Sequence, residues 1–332
     1  MALPRSRVTG IGFHVPARVV TNHDLEKLMD TSDEWIVERT GIRERHFVDA
    51  DTGSSELGIE AARRALADAG RKPEDVDFVI FATTTPDWMF PGNGVIVQEK
   101  LGLANVGALD VRNACSGFLY ALSVADAFVG IGRYRCVLVI GAEVQSTGLD
   151  LSTAGRDMAV LFGDGAGAAV VEPATDGAGI LSWALHSEGA LARDLWCEAP
   201  TSRVEGRITP GMLSEGRHFP RMNGRQVFKN ATTRFPEVIL EVLRDAGHTL
   251  DEVALVVPHQ ANQRIGDAVA QRLGLPPEKV FQNIQRYGNT TAASIPIALT
   301  EAREAGLVKQ GDLVVLAAFG AGFAWGACAL RW

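Results

Sequence analysis

The chain has 332 residues, a length that suits two domains of ordinary size or one large duplicated unit. Hydrophobic residues make up 46% and charged residues 22%, which excludes a disordered chain, a collagen-like repeat and a disulfide scaffold. The formal net charge of −8 provides no electrostatic footprint for DNA or RNA, so no nucleic-acid partner is expected.

Cysteine usage and hydropathy point to a cytoplasmic protein with no membrane partner. The four cysteines are far apart and show no metal-ligand spacing, so neither a metal site nor a disulfide framework is expected. The segment from Met1 to Pro16 lacks the apolar run of a secretory signal. The longest uncharged stretch, Val314 to Leu330, is short for a membrane span, and its glycines predict a strand, a turn and a second strand.

The first half of the chain reads as alternating helices and strands. Ser54 and Ser55 are predicted to cap a helix that ends at Gly70. Later in this half the predicted elements are a buried strand, a loop with Cys115 that leads into a helix, a second strand, and a glycine loop before a third strand. The three strands are Val76 to Thr83, Cys136 to Gly141 and Ala168 to Val171.

The second half repeats this order of patterns. Matched features are separated by 172 to 177 residues, until a final offset of 157 implies about twenty extra residues between Glu143 and Leu161. The simplest explanation is an internal duplication of one α/β unit, with halves at 1–173 and 174–332, whose apolar strands are covered by helices on both faces. The matching strands are Val253 to Val257, Leu313 to Ala318 and Ala327 to Leu330.

Cys115 is the first candidate for chemistry. It precedes an apolar helical pattern, so its sulfur is expected at a helix N-terminus, where the dipole favours thiolate over thiol. A small buried hydrophobe is the alternative for any lone cysteine, and it is preferred for Cys136 and Cys328 inside apolar strands. The duplication places Cys115 and Asn289 in equivalent loops, near the interface between the halves.

Two further candidates lie in the second half. His259 follows a buried strand at its C-terminal end, where ligand sites of α/β proteins cluster, although a structural histidine is an equally good interpretation of this residue alone. Asn289 in isolation indicates a turn or a helix cap.

Taken together, these residues resemble β-ketoacyl-[acyl carrier protein] synthase III. The similarity covers essentially the whole chain and includes the N-terminal run Thr31 to Arg45 and the ending Ala318 to Gly326. Three segments resemble the active-site motifs of that family: Asn113 to Phe118, Val257 to Asn262 and Tyr287 to Ser294.

The resemblance implies a thiolase fold, a duplicated five-layered α/β/α/β/α arrangement, in a homodimer that starts fatty-acid synthesis. Cys115 would take the acyl group from an acyl-CoA, and malonyl-acyl carrier protein would then lose CO2 and attack it. His259 and Asn289 would donate hydrogen bonds to the enolate oxygen. Acyl-CoA and malonyl-acyl carrier protein are substrates, and no permanently bound cofactor is implied.

The same resemblance assigns further residues. Backbone N–H groups of Cys115 and Ala321 would form an oxyanion hole. CoA would be bound by Trp35, Arg39 and Arg156, and the primer pocket would contain Phe90 and Phe319. Acyl carrier protein would dock on Lys229, Arg264 and Arg272, beside a run rich in basic residues: Arg217, Arg221, Arg225, Lys229 and Arg234.

Related activities remain as alternatives. A biosynthetic thiolase is disfavoured because Ala318 and Phe319, and no second cysteine, precede Gly320. Acyl transfer or ketide condensation in a specialised pathway would use the same residues. A non-catalytic subunit predicts loss of one member of the Cys, His and Asn set, and all three are present. Departures from the family pattern affect primer choice and carrier docking most: Ser116, Gly92 to Gly94 and Gln271.

Overall fold

A computed structural model describes residues 6–175 and 177–332 of the chain. The strands in these ranges are β1 (Ser6–His14), β2 (Arg18–Thr21), β3 (Glu44–Phe47), β4 (Phe78–Ala82), β5 (Gly107–Val111), β6 (Val137–Glu143), β7 (Gly165–Pro173), β8 (Gly179–Ser187), β9 (Leu195–Trp196), β10 (Arg221–Met222), β11 (Val253–Pro258), β12 (Leu313–Gly320) and β13 (Ala324–Arg331). The helices are α1 (Asn22–Leu25), α2 (Asp33–Thr40), α3 (Ser54–Asp68), α4 (Asn93–Lys100), α5 (Gly117–Gly130), α6 (Arg156–Ala159), α7 (Pro210–Ser214), α8 (Gly224–Ala246), α9 (Gln263–Leu273), α10 (Ile284–Tyr287) and α11 (Ser294–Glu304).

Two mixed sheets carry the duplication. The first has the order β1-β7-β6-β4-β5, and the second has the matching order β8-β13-β12-β11. The matching pairs run the same way: β6 and β4 are parallel, as are β12 and β11, whereas the pairs that lead from β6 to β1 and from β12 to β8 are antiparallel. The counterpart of β5 shrinks to one bridge between Val280 and Val256. The duplication predicted from repeated patterns is therefore present in the strand order itself.

Helices and sheets alternate in five layers. α3 and α4 cover the outer face of the first sheet, and α8 packs against the second sheet with α9 beside it. α5 and α11 lie between the sheets, where α5 contacts strands of both. Every residue of β4, β6 and β12 is buried, as expected for strands covered on both faces. No helix in residues 6–175 or 177–332 has the length and apolarity to span a membrane.

The start of α3 differs from the prediction that serines cap it. Gly53 is the N-cap, and its backbone N–H donates at 3.0 Å to the carboxylate at the third helical position. Ser54 and Ser55 are the first two helical residues. Their hydroxyls donate to the carbonyl of Thr85 and to the carboxylate of Asp87, respectively. They are diverted from capping because these acceptors, in the loop that follows β4, lie above the helix start.

The turn that precedes α5 has a close counterpart before α11. Ala114 and Thr291, 177 residues apart, each open a 3-10 turn with positive φ, +45° and +50°. The counterpart of Cys115 is therefore Ala292, and Asn289 stands two residues before its turn. The expectation of equivalent loops is correct, but the two side chains are not at equivalent positions.

Candidate active site

Cys115 lies in the middle of the 3-10 turn, directly before α5, and it is 7% exposed. Gly320, the last residue of β12, packs against it so closely that a Cβ there would stand 2.6 Å from the Cβ of Cys115. Only glycine permits this approach of strand to turn. The hydroxyl of Ser116 donates to the carbonyl of Ala324, the partner of Gly320 in the neighbouring strand, at 2.8 Å, which ties the turn to β13 as well.

The thiol of Cys115 is protonated in the resting chain. Burial raises its pKa to about 12, and the charge of Glu143 acts in the same direction. Hydrogen bonding to the backbone N–H of Ala321 lowers the pKa, but by less. The expected thiolate is thus wrong for this state, because loss of hydration outweighs the polar groups at the helix start.

His259 follows β11 directly. Its backbone N–H donates to Ala317 of β12 at 2.8 Å, so the strand pairing continues one residue past β11. The ring is buried, with Nδ1 lying 2.6 Å from Oγ of Ser294. Burial lowers the pKa of His259 to about 3, so the imidazole is neutral. Nε2 has no hydrogen-bond partner among the described residues.

Asn289 is held through its backbone and through one end of its amide. Its N–H donates to Leu161 at 2.8 Å, and its carbonyl accepts the N–H of Gly163 at 3.1 Å. The side-chain Oδ1 accepts the N–H of Thr291 at 2.8 Å. The hydroxyl of Thr291 in turn accepts from Gln145 at 2.9 Å. With Oδ1 engaged, Nδ2 is the end of the amide left for a ligand.

These three side chains line one cavity of about 510 Å³. Cys115 comes from the first half of the chain, whereas His259 and Asn289 come from the second. Phe319 and Gly320 line the cavity beside the cysteine, and its walls also include Trp35, Arg39 and Arg264. Ala321, the other expected oxyanion-hole residue, follows Gly320 with its N–H at the sulfur of Cys115.

Trp35 on α2 carries two guanidinium groups over its ring. The Cζ atom of Arg39 lies 4.9 Å from the ring centroid, and that of Arg156 lies 4.5 Å from it. Arg156 begins α6, inside the segment of extra residues expected in the first half, and it donates to the carbonyl of Asp30 at 2.7 Å. The inserted segment therefore brings an arginine to the tryptophan.

The two expected primer-pocket residues lie in different places. Phe319 is buried, lines the cavity and packs 4.8 Å from the ring of Phe323, measured between centroids. Phe90 is 77% exposed and is absent from the cavity wall of its own chain, so its placement there is wrong for a single chain. Asp87 binds Asn93 and the start of α3, which fixes the base of this loop and leaves its tip on the surface.

The three residues expected to dock the carrier protein differ in their surroundings. Lys229 on α8 and Arg264 on α9 are exposed, and Arg264 lies 5.7 Å from the ring centroid of Phe228 at the cavity mouth. Arg272 instead donates to the carbonyl of Thr232 at 2.7 Å, which joins α9 to α8. Two members of the basic run, Arg217 and Arg234, are paired with glutamates.

Sequence motifs did not identify the residues that hold two of the three central side chains, those of Asn289 and His259. Gln145 and Thr291 orient Asn289, and Ser294 contacts His259. Thr291 and Ser294 fall inside the segment Tyr287 to Ser294 that carries the family resemblance, which was the available signal. Gln145 had none, because its contact joins residues 146 positions apart.

A duplicated five-layered fold with a cysteine, a histidine and an asparagine around one cavity defines the thiolase-fold class of condensing enzymes. The family model described as "3-Oxoacyl-[acyl-carrier-protein (ACP)] synthase III C terminal" matches residues 243–332, and the model described as "3-Oxoacyl-[acyl-carrier-protein (ACP)] synthase III" matches residues 109–189. The chain belongs to the 3-oxoacyl-[acyl-carrier-protein] synthase III family.

Relatives resemble the chain over its whole length. The beta-ketoacyl-[acyl-carrier-protein] synthase III of Symbiobacterium thermophilum is 48% identical, across 98% of this chain and 97% of that protein. The crystal structure of 3-oxoacyl-[acyl-carrier-protein] synthase III from Aquifex aeolicus VF5 is 46% identical with a TM-score of 0.90, across 98% of this chain and 100% of that one. The priming β-ketosynthase of the R1128 polyketide pathway is 34% identical with a TM-score of 0.89, across 99% and 97%.

Proposed function

We propose that this chain condenses an acyl-CoA primer with malonyl-acyl carrier protein, giving 3-oxoacyl-acyl carrier protein, CoA and CO2, and so initiates fatty-acid synthesis. The observation that carries the proposal is the cavity itself. It combines a buried thiol, a neutral imidazole and a carboxamide from both halves of the chain, in a member of this synthase family.

In the first half-reaction, Cys115 attacks the acyl-CoA thioester and releases CoA. The exchange is neutral in protons overall, since one thiol is consumed and another is formed, and the two thioesters have similar energies. The thiol proton leaves Cys115 as the CoA sulfur gains one. Backbone N–H groups of Cys115 and Ala321 stabilise the oxyanion of the tetrahedral intermediate.

In the second half-reaction, the malonyl thioester loses CO2, and its enolate attacks the acyl group on Cys115. Decarboxylation generates the carbanion, so the site needs hydrogen-bond donors and no strong base. His259 and Asn289 are these donors, and two observations support them. The histidine is neutral, with Nε2 unpaired among the described residues, and Oδ1 of the asparagine is already engaged.

The cavity mouth suits the two carriers of the acyl groups. Trp35, with Arg39 and Arg156 over its ring, offers a stacking surface for the adenine of CoA. Exposed Lys229 and Arg264 suit an acidic carrier protein. Arg272 supports this surface from behind by holding α9 on α8. Among the described residues, no three His, Cys, Asp or Glu side chains form a metal site, and the mechanism uses none.

The working unit is a homodimer of the duplicated chain, whose halves are 1–173 and 174–332. Within the described residues, the edge strand β5 of the first sheet is paired on one side only, and large apolar side chains are exposed near it. A second copy of the chain that pairs with β5 would bury these apolar side chains and would satisfy the unpaired backbone groups of the edge strand. Phe90 belongs to this patch, together with Trp88, Met89, Val95 and Leu109.

Intact-protein mass spectrometry with a panel of acyl-CoAs, followed by malonyl-acyl carrier protein, tests the proposal. We expect one acyl adduct on the wild type, none on Cys115→Ala, and conversion of the adduct to 3-oxoacyl-carrier protein with release of CO2. An adduct that persists on Cys115→Ala would contradict the nucleophile. An adduct discharged only to water or another acceptor would contradict the condensation.

A further inference from the structure

The ring of His259 is held by one serine that the mechanism above does not use. Ser294 opens α11 and is 2% exposed. Its Oγ lies 2.6 Å from Nδ1 of His259 and also 3.4 Å from the backbone nitrogen of Gln260. The hydroxyl thus bridges the imidazole and the backbone of the next residue.

Counting protons decides which way this bridge runs. The N–H of Gln260 can only donate, so Oγ of Ser294 is its acceptor. Oγ has a second lone pair, but if it also accepted from Nδ1 its own proton would be buried without an acceptor among the described residues, so the favoured arrangement is donation to Nδ1 of His259. Nδ1 is therefore an acceptor. Because burial keeps the imidazole neutral and a neutral ring carries one proton, that proton is on Nε2.

Further hydrogen bonds, made by Gln260, fix the loop that carries His259. The side chain of Gln260 donates to the carbonyls of Pro258 and Phe281 at 2.8 and 3.1 Å, and its Oε1 accepts the N–H of Asn283 at 3.0 Å. All of these groups are in the second half of the chain. Nε2 is left as the ring atom without a partner among the described residues.

We propose that Ser294 is a positioning residue that fixes His259 as its Nε2–H tautomer, so that the ring presents a hydrogen-bond donor to the cavity and not a base. This inference rests on the proposed condensation and specifies how one of its donors is prepared. It also has a consequence for the first half-reaction. An Nε2 that already carries a proton cannot take one from the thiol of Cys115, so His259 serves the enolate and not the deprotonation of the cysteine.

The tautomer can be read directly by NMR of protein labelled with ¹⁵N-histidine, with His259→Gln used to assign the ring signals. We expect a protonated Nε2 and a hydrogen-bonded, unprotonated Nδ1 in the wild type. Ser294→Ala should give exchange between both tautomers, whereas Ser294→Thr keeps a hydroxyl and should restore the single form. A wild-type ring protonated on Nδ1, or an unchanged spectrum in Ser294→Ala, would overturn the proposal.

Kinetics of the same variants separate this role from a purely structural one. Ser294→Ala should lower kcat for condensation about 10-fold, since a misassigned donor costs less than the 10²- to 10³-fold of a deleted one, and should leave acylation of Cys115 nearly unchanged. Ser182→Ala is the matched control, because it removes another buried hydroxyl, which donates to the carbonyl of Val242 at 2.6 Å and does not line the cavity.

The NMR experiment needs no substrate, so its result is independent of the proposed function. A fixed tautomer in an enzyme that fails to condense would refute the proposed function and leave the inference intact. Equal loss of both half-reactions in Ser294→Ala would refute the inference alone.

Discussion

Gly320 lies so close to Cys115 that no residue with a side chain would fit in place of the glycine. An added methyl group would lie 2.6 Å from Cβ and 3.0 Å from Sγ of Cys115. Gly320→Ala must therefore displace the turn or the strand, and either movement separates the sulfur from the N–H of Ala321 that follows. We expect acyl-enzyme formation to fall by about 10²-fold, the scale of a lost oxyanion donor, measured by time-resolved intact mass spectrometry.

The control for this prediction is a glycine with open space around it. No described atom lies within 4 Å of the position that a methyl group on Gly189 would occupy, and the φ of this glycine is not positive. Gly189→Ala should therefore acylate at the wild-type rate. Wild-type acylation by Gly320→Ala would show that the close approach has no functional role.

The protonated resting state of Cys115 makes a prediction about its reactivity. With a pKa of about 12 against 9.0 for an ordinary thiol, the thiolate fraction near neutral pH is about 10³-fold smaller. Raising the pH favours the reactive form, so alkylation by iodoacetamide should be slow at pH 7 and should keep increasing about tenfold per pH unit up to about pH 11. Labelling of Cys115 in a Cys197→Ser background, followed by intact mass, measures this profile. A plateau near pH 8 would restore the thiolate expected from the helix start.

The thiolate expected from the sequence and the raised pKa of Cys115 in the structure differ because the sequence shows only local features. The segment from Asn113 to Phe118 shows that a helix begins after Cys115, and this was correct. It does not show that Gly320 closes over the sulfur from 205 residues away and removes its water. Local signals predicted the dipole, whereas desolvation depends on tertiary packing, and desolvation is the larger effect here.

Repeated patterns were a better guide to the fold than to individual contacts. Strand runs, the glycine loops and even the extra residues of the first half were visible, because each has a local signature. Phe90 could not be placed, since its exposure depends on how Asp87 anchors the loop to α3 and Asn93. Gln145 and Ser294 were missed because side-chain hydrogen bonds between distant segments leave no periodicity.

Replacing Trp35 is predicted to change the affinity for acyl-CoA and not that for the carrier protein. Its ring, with Arg39 and Arg156 at 4.9 and 4.5 Å, offers a stacking surface that the carrier protein does not need. Trp35→Ala should raise KM for acyl-CoA about 10-fold, the effect of losing a stacking and cation–π contact, with little change in KM for malonyl-acyl carrier protein. Trp35→Phe keeps a ring and should lie between the two. Equal increases in both KM values would point to a general collapse of α2.

Lys229 and Arg264 predict a salt dependence for the other substrate. Exposed charges that attract an acidic carrier protein are screened by added salt. The KM for malonyl-acyl carrier protein should therefore rise between low and high salt, and this slope should flatten in Lys229→Ala and Arg264→Ala. Arg244→Ala is the control, since that arginine is exposed at the far end of α8. A KM that does not respond to salt would count against this surface.

Asn289 and His259 predict a separation of the two half-reactions. In the proposed mechanism their donors act on charge that develops only as CO2 leaves, whereas acylation of Cys115 would use the N–H groups of Cys115 and Ala321. Asn289→Ala and His259→Ala should each lower the rate of condensation by about 10²- to 10³-fold and spare acylation. Both half-reactions are followed by intact-protein mass spectrometry on the same samples.

The double variant should show a smaller loss of condensation rate than the product of the two single losses if both donors serve one oxygen. Asn289→Ala is the decisive case, because the N–H of Thr291 holds the Oδ1 end of its amide and leaves Nδ2 for a ligand. Loss of acyl-enzyme formation as severe as the loss of condensation in this variant would mean that Asn289 positions the nucleophile instead.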